Sequence, residues 1–143
     1  MLHSQADEQL NIVAMDKLTR MEQIRLAART TVMMGVHGNG LTHLLWMNPL
    51  NPRATVIEFF FPGGFAEDYE FTARTLGIKH YGMWEKESFT APNTPKIAYP
   101  EGFQGNEIPL DGKAVADLIT QRLLVDKVDG EPDADEKAES KGR

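Results

Sequence analysis

The chain has 143 residues, with 41% apolar and 25% charged positions, a net charge of −6 and no cysteine. That size suits one domain able to bury a core without cross-links, and the lack of thiols excludes disulfides and a thiolate zinc site. The negative balance argues against a general nucleic-acid binder, because phosphate backbones are held by basic faces.

The opening stretch, MLHSQADEQLN, is polar and acidic and shows neither the basic nor the apolar region of a signal peptide. No apolar run approaches the roughly 20 residues that span a bilayer, so no membrane contact is expected from this chain. Leu10 to Met15 reads as a first short strand. Asp16 then precedes a helix to about Arg29, with Leu18, Met21, Ile24 and Ala28 on one apolar face.

Thr31 to Val36 is apolar and β-leaning, the chain breaks at His37-Gly38-Asn39-Gly40, and Leu41, Leu44 and Leu45 resume at helical spacing until Asn48-Pro49. Ala54 to Phe61 is a dense β-branched and aromatic run, as expected of a strand buried on both faces of a parallel sheet. Pro62-Gly63-Gly64 turns the chain. Phe65, Tyr69, Ala73 and Leu76 line the next helix, Gly77 suits its C-cap, and Ile78 to Trp84 is a further strand.

This alternation predicts an α/β fold, a Rossmann-like parallel sheet with flanking helices. Glu85 to Asp111 is proline-rich and aperiodic, a long loop wrapping the domain and able to close over a site. Gly112 to Val125 is helical, with Val115, Leu118, Ile119 and Leu123 on one face. Residues 1–125 are therefore read as one domain and 126–143 as an acidic disordered tail.

Strand, glycine loop and helix in that order aim unpaired backbone N–H groups at an anion. Gly38 and Gly40 permit positive φ and close approach of backbone to ligand. The loop is thus expected to receive the phosphates of a nucleotide. His37 opens it at the carboxyl end of a strand, where open α/β sheets place ligands, and is a diphosphate or donor contact or else a pin for the loop. Thr42 either donates its hydroxyl to a phosphate or caps the helix. Asn39 adds a donor or tolerates a left-handed backbone, and His43 faces the cleft or packs beneath the helix.

Glu58 interrupts an apolar strand, where a charge is costly unless paired. It either serves sugar or ribose hydroxyls, or acts as a base, or bridges to Arg74 or Arg53. Phe59, Phe60 and Phe61 read as core, Trp84 is better placed to stack on a base, and His80 packs or hydrogen-bonds within the sheet. Glu67, Asp68 and Glu70 read as a solvated helix face. No His/Asp/Glu set has metal-ligand spacing, so no metal cofactor is expected, and Asp133-Ala134-Asp135 in the tail is a chance spelling. No Walker lysine or G-x-S-x-G elbow is present.

The string GVHGNGLTHLLWM, residues 35–47, resembles the G-x-H-G-A-G-L-T-N-x-x-F signature of glycosyltransferase family 61, with Asn39 standing where the family has alanine. Met21-Glu22-Gln23-Ile24 resembles its E-Q-I helix and Val56-Ile57-Glu58 its V-I-E strand. Asp68-Tyr69, Ala73-Arg74, Leu76-Gly77-Ile78 and His80-Tyr81-Gly82-Met83-Trp84 resemble the helix, turn and H-Y-x-x-W strand that follow. The likeness is strongest to the branch of the EGF-domain-specific O-GlcNAc transferases, which share a histidine at the position of His43.

That resemblance implies the C-terminal, donor-binding half of an inverting GT-B-type enzyme, transferring GlcNAc or xylose from a UDP-sugar to a protein or glycan hydroxyl. That resemblance falls on the residues read above as candidates, His37 and Glu58 as catalytic and Gly38, Asn39, Gly40, Leu41, Thr42 and His43 as substrate-binding. It further implies a missing N-terminal domain, little activity for the isolated chain, and a place in the lumen of the endoplasmic reticulum or Golgi. The alternative is a non-catalytic fragment or subunit that binds nucleotide and needs a partner domain.

Overall fold

Thr55–Phe59 (β2) combines β-branched and aromatic residues, and all five are buried, so it takes the centre of the sheet. The structure, a computed structural model, describes residues 9–125; the expected acidic tail lies outside the described residues. Val32–Val36 (β1) and Lys79–Trp84 (β3) pair with β2 on either side, both parallel, and Glu87–Phe89 (β4) adds an antiparallel edge in the order β1-β2-β3-β4. The mostly parallel sheet with helices on both faces is compatible with a Rossmann-like fold.

Alternation along the strands divides the core. On one face Val56 and Met33 meet Leu41, Leu44 and Met47 of the segment after β1 and Ala73 of Asp68–Leu76 (α2). On the other, Ile57, Phe59 and Met83 meet Leu118, Val115 and Ile119 of Gly112–Leu123 (α3). A third cluster, Phe60, Phe65, Ala66 and Phe103, follows the end of β2 and carries Trp84 and Phe89 at its margin. Gly77 ends α2 at φ 78 and ψ 19, the left-handed cap expected of it.

Four expectations are corrected. Leu10 to Met15 is not a strand: residues 9–14 are irregular, and Leu10 and Ile12 are 70% and 93% exposed. The pattern suits a strand, but no described neighbour pairs with it, and an unpaired strand has no ladder to hold it. The first helix runs only from Arg20 to Arg29 (α1), capped by the Thr19 hydroxyl, with a short 3-10 turn at Met15–Lys17 ahead of it. Its inward face is Ala27 with Gln23, Ile24 and Leu26, while Met21 and Ala28 are exposed. Gln23 turns this face inward by donating to the carbonyls of Met15 and Leu18.

The helix after the glycine loop is a 3-10 helix, Asn39–Trp46, rather than an α-helix. At three residues per turn, Leu41, Leu44 and Met47 fall in one buried column. Leu45, expected in the core, rotates out to 50% exposure beside Trp46 at 51%. Finally, Glu70 is buried rather than solvated, and accepts from Arg74 at 2.9 Å. The long segment after β3 is mostly irregular as expected, but it begins with β4 and returns to the body through a bridge between Ala98 and Phe65.

Candidate active site

Sheet register builds the site. Gly35 of β1 and Gly82 of β3 lie directly opposite Glu58 on either side of β2. Neither neighbour has a side chain, so the space beside the carboxylate is left to other residues, the Phe89 ring over Gly82 and Leu41 against Gly35. Residues two steps along a strand share a face. His37, two beyond Gly35, and His80, two before Gly82, therefore both reach Glu58. His37 Nδ1 lies 2.5 Å from Glu58 Oε1, and His80 Nε2 lies 2.7 Å from Oε2.

Glu58 is fully buried, His80 is 4% exposed and the His37 side chain keeps 16% of its surface. A buried carboxylate is tolerable when its oxygens accept charge-assisted hydrogen bonds, and here each oxygen faces one ring nitrogen. Arg74 and Arg53, the partners considered from sequence, are engaged elsewhere: Arg74 with Glu70 and Arg53 with the carbonyl of Val125. Both partners, His37 and His80, were unforeseen. Gly82 supports the arrangement from the far strand, since a Cβ there would stand 2.2 Å from the Phe89 ring that packs over it.

His37 is held in an aromatic setting. Its ring stacks on Phe60 at 5.4 Å, meets Phe103 at 5.2 Å and takes the edge of Tyr69 at 5.8 Å. Phe103 comes from the long loop, which thus closes against the site, and Tyr99 packs on it at 5.0 Å. With Nδ1 turned to the buried carboxylate, Nε2 is the nitrogen with access to solvent. It opens on a cleft of about 470 Å³ lined by Ala66, Glu67, Asp68, Phe71, Ile97 and Tyr99 along with His37. Two carboxylates at the rim oppose a diphosphate inside it and suit groups bearing neutral hydroxyls.

The anion-friendly part is the adjoining loop. Gly38 has φ +152 and ψ 178, a conformation that side chains rarely adopt. The first backbone bond of the 3-10 helix runs from Leu41 N–H to the Gly38 carbonyl at 3.1 Å. The amides of Asn39 and Gly40 precede it at the exposed helix start, where no carbonyl of the same helix can reach them. A Cβ on Gly40 would meet nothing within 4 Å, so the approach is open.

Of the other predicted site residues, Thr42 is exposed and its hydroxyl lies 3.4 Å from that of Tyr69. The Leu41 side chain is core. His43 is taken up inside the chain: Nδ1 is 2.8 Å from the Gly40 carbonyl and Nε2 is 2.9 Å from Gln23 Oε1, so it ties the loop to α1. Trp84 donates to the Gly64 carbonyl and packs against Phe89 rather than lining the cleft. Phe59 and Phe60 are core as expected. Among the described residues no three His, Asp or Glu side chains are placed to hold a metal ion, and no helix is long and apolar enough to cross a membrane.

The family model Glycosyltransferase 61 matches residues 1–57. The match takes in α1, β1, the glycine loop and the start of β2, and ends one residue before Glu58. Over those residues the chain is similar to glycosyltransferase family 61. No curated protein and no solved structure matches the chain significantly.

Proposed function

From the similarity to glycosyltransferase family 61 over residues 1–57, we propose that this chain is the donor-binding part of an inverting, UDP-sugar-dependent transferase. The observation that carries the reading is the adjacency of two features on one short connection. The Gly38–Gly40 backbone offers amides to an anion, and His37 just before it is backed by a buried carboxylate.

In the reaction, an acceptor hydroxyl on a protein or glycan attacks the anomeric carbon, and the bond from that carbon to the diphosphate breaks. The leaving UDP gains negative charge, which the amides of Asn39 and Gly40 and the Thr42 hydroxyl stabilise. Donors fixed in advance are worth most where charge develops. The hydroxyl proton passes to His37 Nε2, and Glu58 stabilises the resulting imidazolium through Nδ1–H, as a buried carboxylate does behind a catalytic histidine. On this reading His37 acts as the base, with its inner nitrogen committed to Glu58. The cleft with Tyr99 and Phe71 takes the sugar or the acceptor. No metal enters the scheme.

The remaining acceptor contacts come from a further domain or a partner subunit. Exposed Leu45, Trp46 and Leu50 favour that view, since an apolar surface of this kind is commonly covered in an assembly. On this reading the isolated chain binds nucleotide but turns over slowly. The proposed setting, by analogy with the family, is the endoplasmic reticulum or Golgi lumen, with GlcNAc or xylose as the transferred sugar.

A ligand panel read by thermal shift tests the reading. UDP and UDP-sugars should raise the melting temperature, while ATP and NAD should not. Gly38→Ala should weaken UDP at least about tenfold, because a side chain is strained at that φ. Stabilisation by ATP or NAD in place of UDP would assign the loop to a different nucleotide chemistry.

A further inference from the structure

His80 is remote from the cleft, yet it is bound to the group that controls it. Its Nε2 faces Glu58 Oε2 at 2.7 Å, and its Nδ1, equally buried, has no hydrogen-bond partner among the described residues. That asymmetry locates its proton. A buried N–H without an acceptor is rarer than a buried acceptor without a donor. The proton therefore belongs on Nε2, donated to Glu58, and Nδ1 is left as a bare lone pair.

The consequence passes through the carboxylate. Among the described residues Glu58 has no lysine or arginine partner, so its anionic form depends on the two donors it receives. While His80 donates to Oε2, the anion is supported and the proton of the short contact at Oε1 stays on His37 Nδ1. Without that donor the buried oxygen pair loses half its support, and the proton of the contact is better placed on the carboxyl. A second proton, taken up from solvent at Nε2, would then leave His37 neutral in the Nε2–H form and able to accept none.

We propose that His80 is a positioning residue that sets the tautomer of His37 through Glu58, keeping His37 Nε2 open as a proton acceptor toward the cleft. The use of that lone pair in sugar transfer rests on the reading above; the tautomer does not. Gly82 and Phe89 serve the same end, since the glycine admits the ring that covers this buried end of the chain of contacts.

Long-range proton–nitrogen correlation spectra of histidine-labelled protein read the tautomer of each ring directly. In the native chain His37 should show a protonated Nδ1 and an unprotonated Nε2. His80→Phe, which has no donor, should move His37 toward the Nε2–H form, and His80→Gln, whose amide can donate to Glu58, should restore the native pattern. Should His80→Phe not fold, His80→Asn carries the same test, because its amide is too short to reach Oε2.

A native His37 protonated on Nε2, or a folded His80→Phe or His80→Asn chain whose His37 stays in the Nδ1–H form, overturns the proposal. UDP binding is scored separately on the same samples. A chain with the expected tautomers that ignores UDP removes the transferase reading and leaves the His80 relation intact. A chain that binds UDP with insensitive tautomers does the reverse.

Discussion

Glu58→Ala is expected to lower the unfolding free energy by about 3–5 kcal/mol, the range for breaking a buried charge pair by removing one partner. The magnitude follows from what is left behind. His37 loses the acceptor at 2.5 Å and His80 loses the one ring hydrogen bond it has among the described residues, at 4% exposure, with Nδ1 already unpaired there. For a domain of this size the loss corresponds to roughly 10–20 °C in melting temperature. Calorimetric or circular-dichroism melting measures it. The sign of a second variant separates polar loss from cavity: Glu58→Leu combined with His80→Phe should recover part of the deficit, because an apolar pair leaves fewer orphaned groups. A Glu58→Ala chain melting within about 2 °C of the native one, less than a shift of 1 kcal/mol produces, would show that the two histidines do not depend on the carboxylate.

Phe60→Ala should cost a similar amount, about 3–5 kcal/mol, through a different mechanism. Phe60 is 1% exposed and contacts Phe65, Phe89 and Phe103 at centroid distances of 5.6, 6.3 and 6.1 Å. Truncation opens a void where three elements meet: the end of β2, the turn before α2 and the long loop. It also removes the ring stacked on His37 at 5.4 Å. Weakened UDP binding should therefore accompany the lost stability, whereas Phe60→Leu, which refills most of the void, should cost less than half as much. Urea titration of both variants gives the comparison. Equal stability of Phe60→Ala and the native chain would mean that the cluster is not packed as described.

Much of this fold could be read from local pattern. The run TVIEF announces a strand buried on both faces, Gly77 announces the end of a helix, and the break at His37-Gly38-Asn39-Gly40 marks the turn from β1 into the next helix. What was hidden depends on register or period. Nothing local says that Glu58 lies opposite Gly35 and Gly82, and without that pairing an arginine is the natural guess for its partner. Once the strands are aligned, both histidines follow from counting two residues along each strand.

The 3-10 helix was present in the spacing of Leu41, Leu44 and Met47, three residues apart throughout. Reading the segment at 3.6 residues per turn instead chose Leu45 as core. Leu10 to Met15 shows the opposite failure. The pattern was real, but a strand exists only beside another, and the described residues supply none. His80 was visible only as a polar residue in a strand, since its value lies entirely in the carboxylate one strand away.

The central claim is that a diphosphate sits on the main-chain amides at the start of the 3-10 helix, with His37 beside it. Amide chemical shifts recorded while UDP is titrated into the native chain test it most directly. The largest changes should fall on Gly38, Asn39, Gly40 and Leu41, with smaller ones at His37 and Thr42, and a matched uridine titration lacking the phosphates should leave the glycine amides unmoved. Saturable shifts confined to other parts of the surface, or none at all on a folded sample, would contradict it.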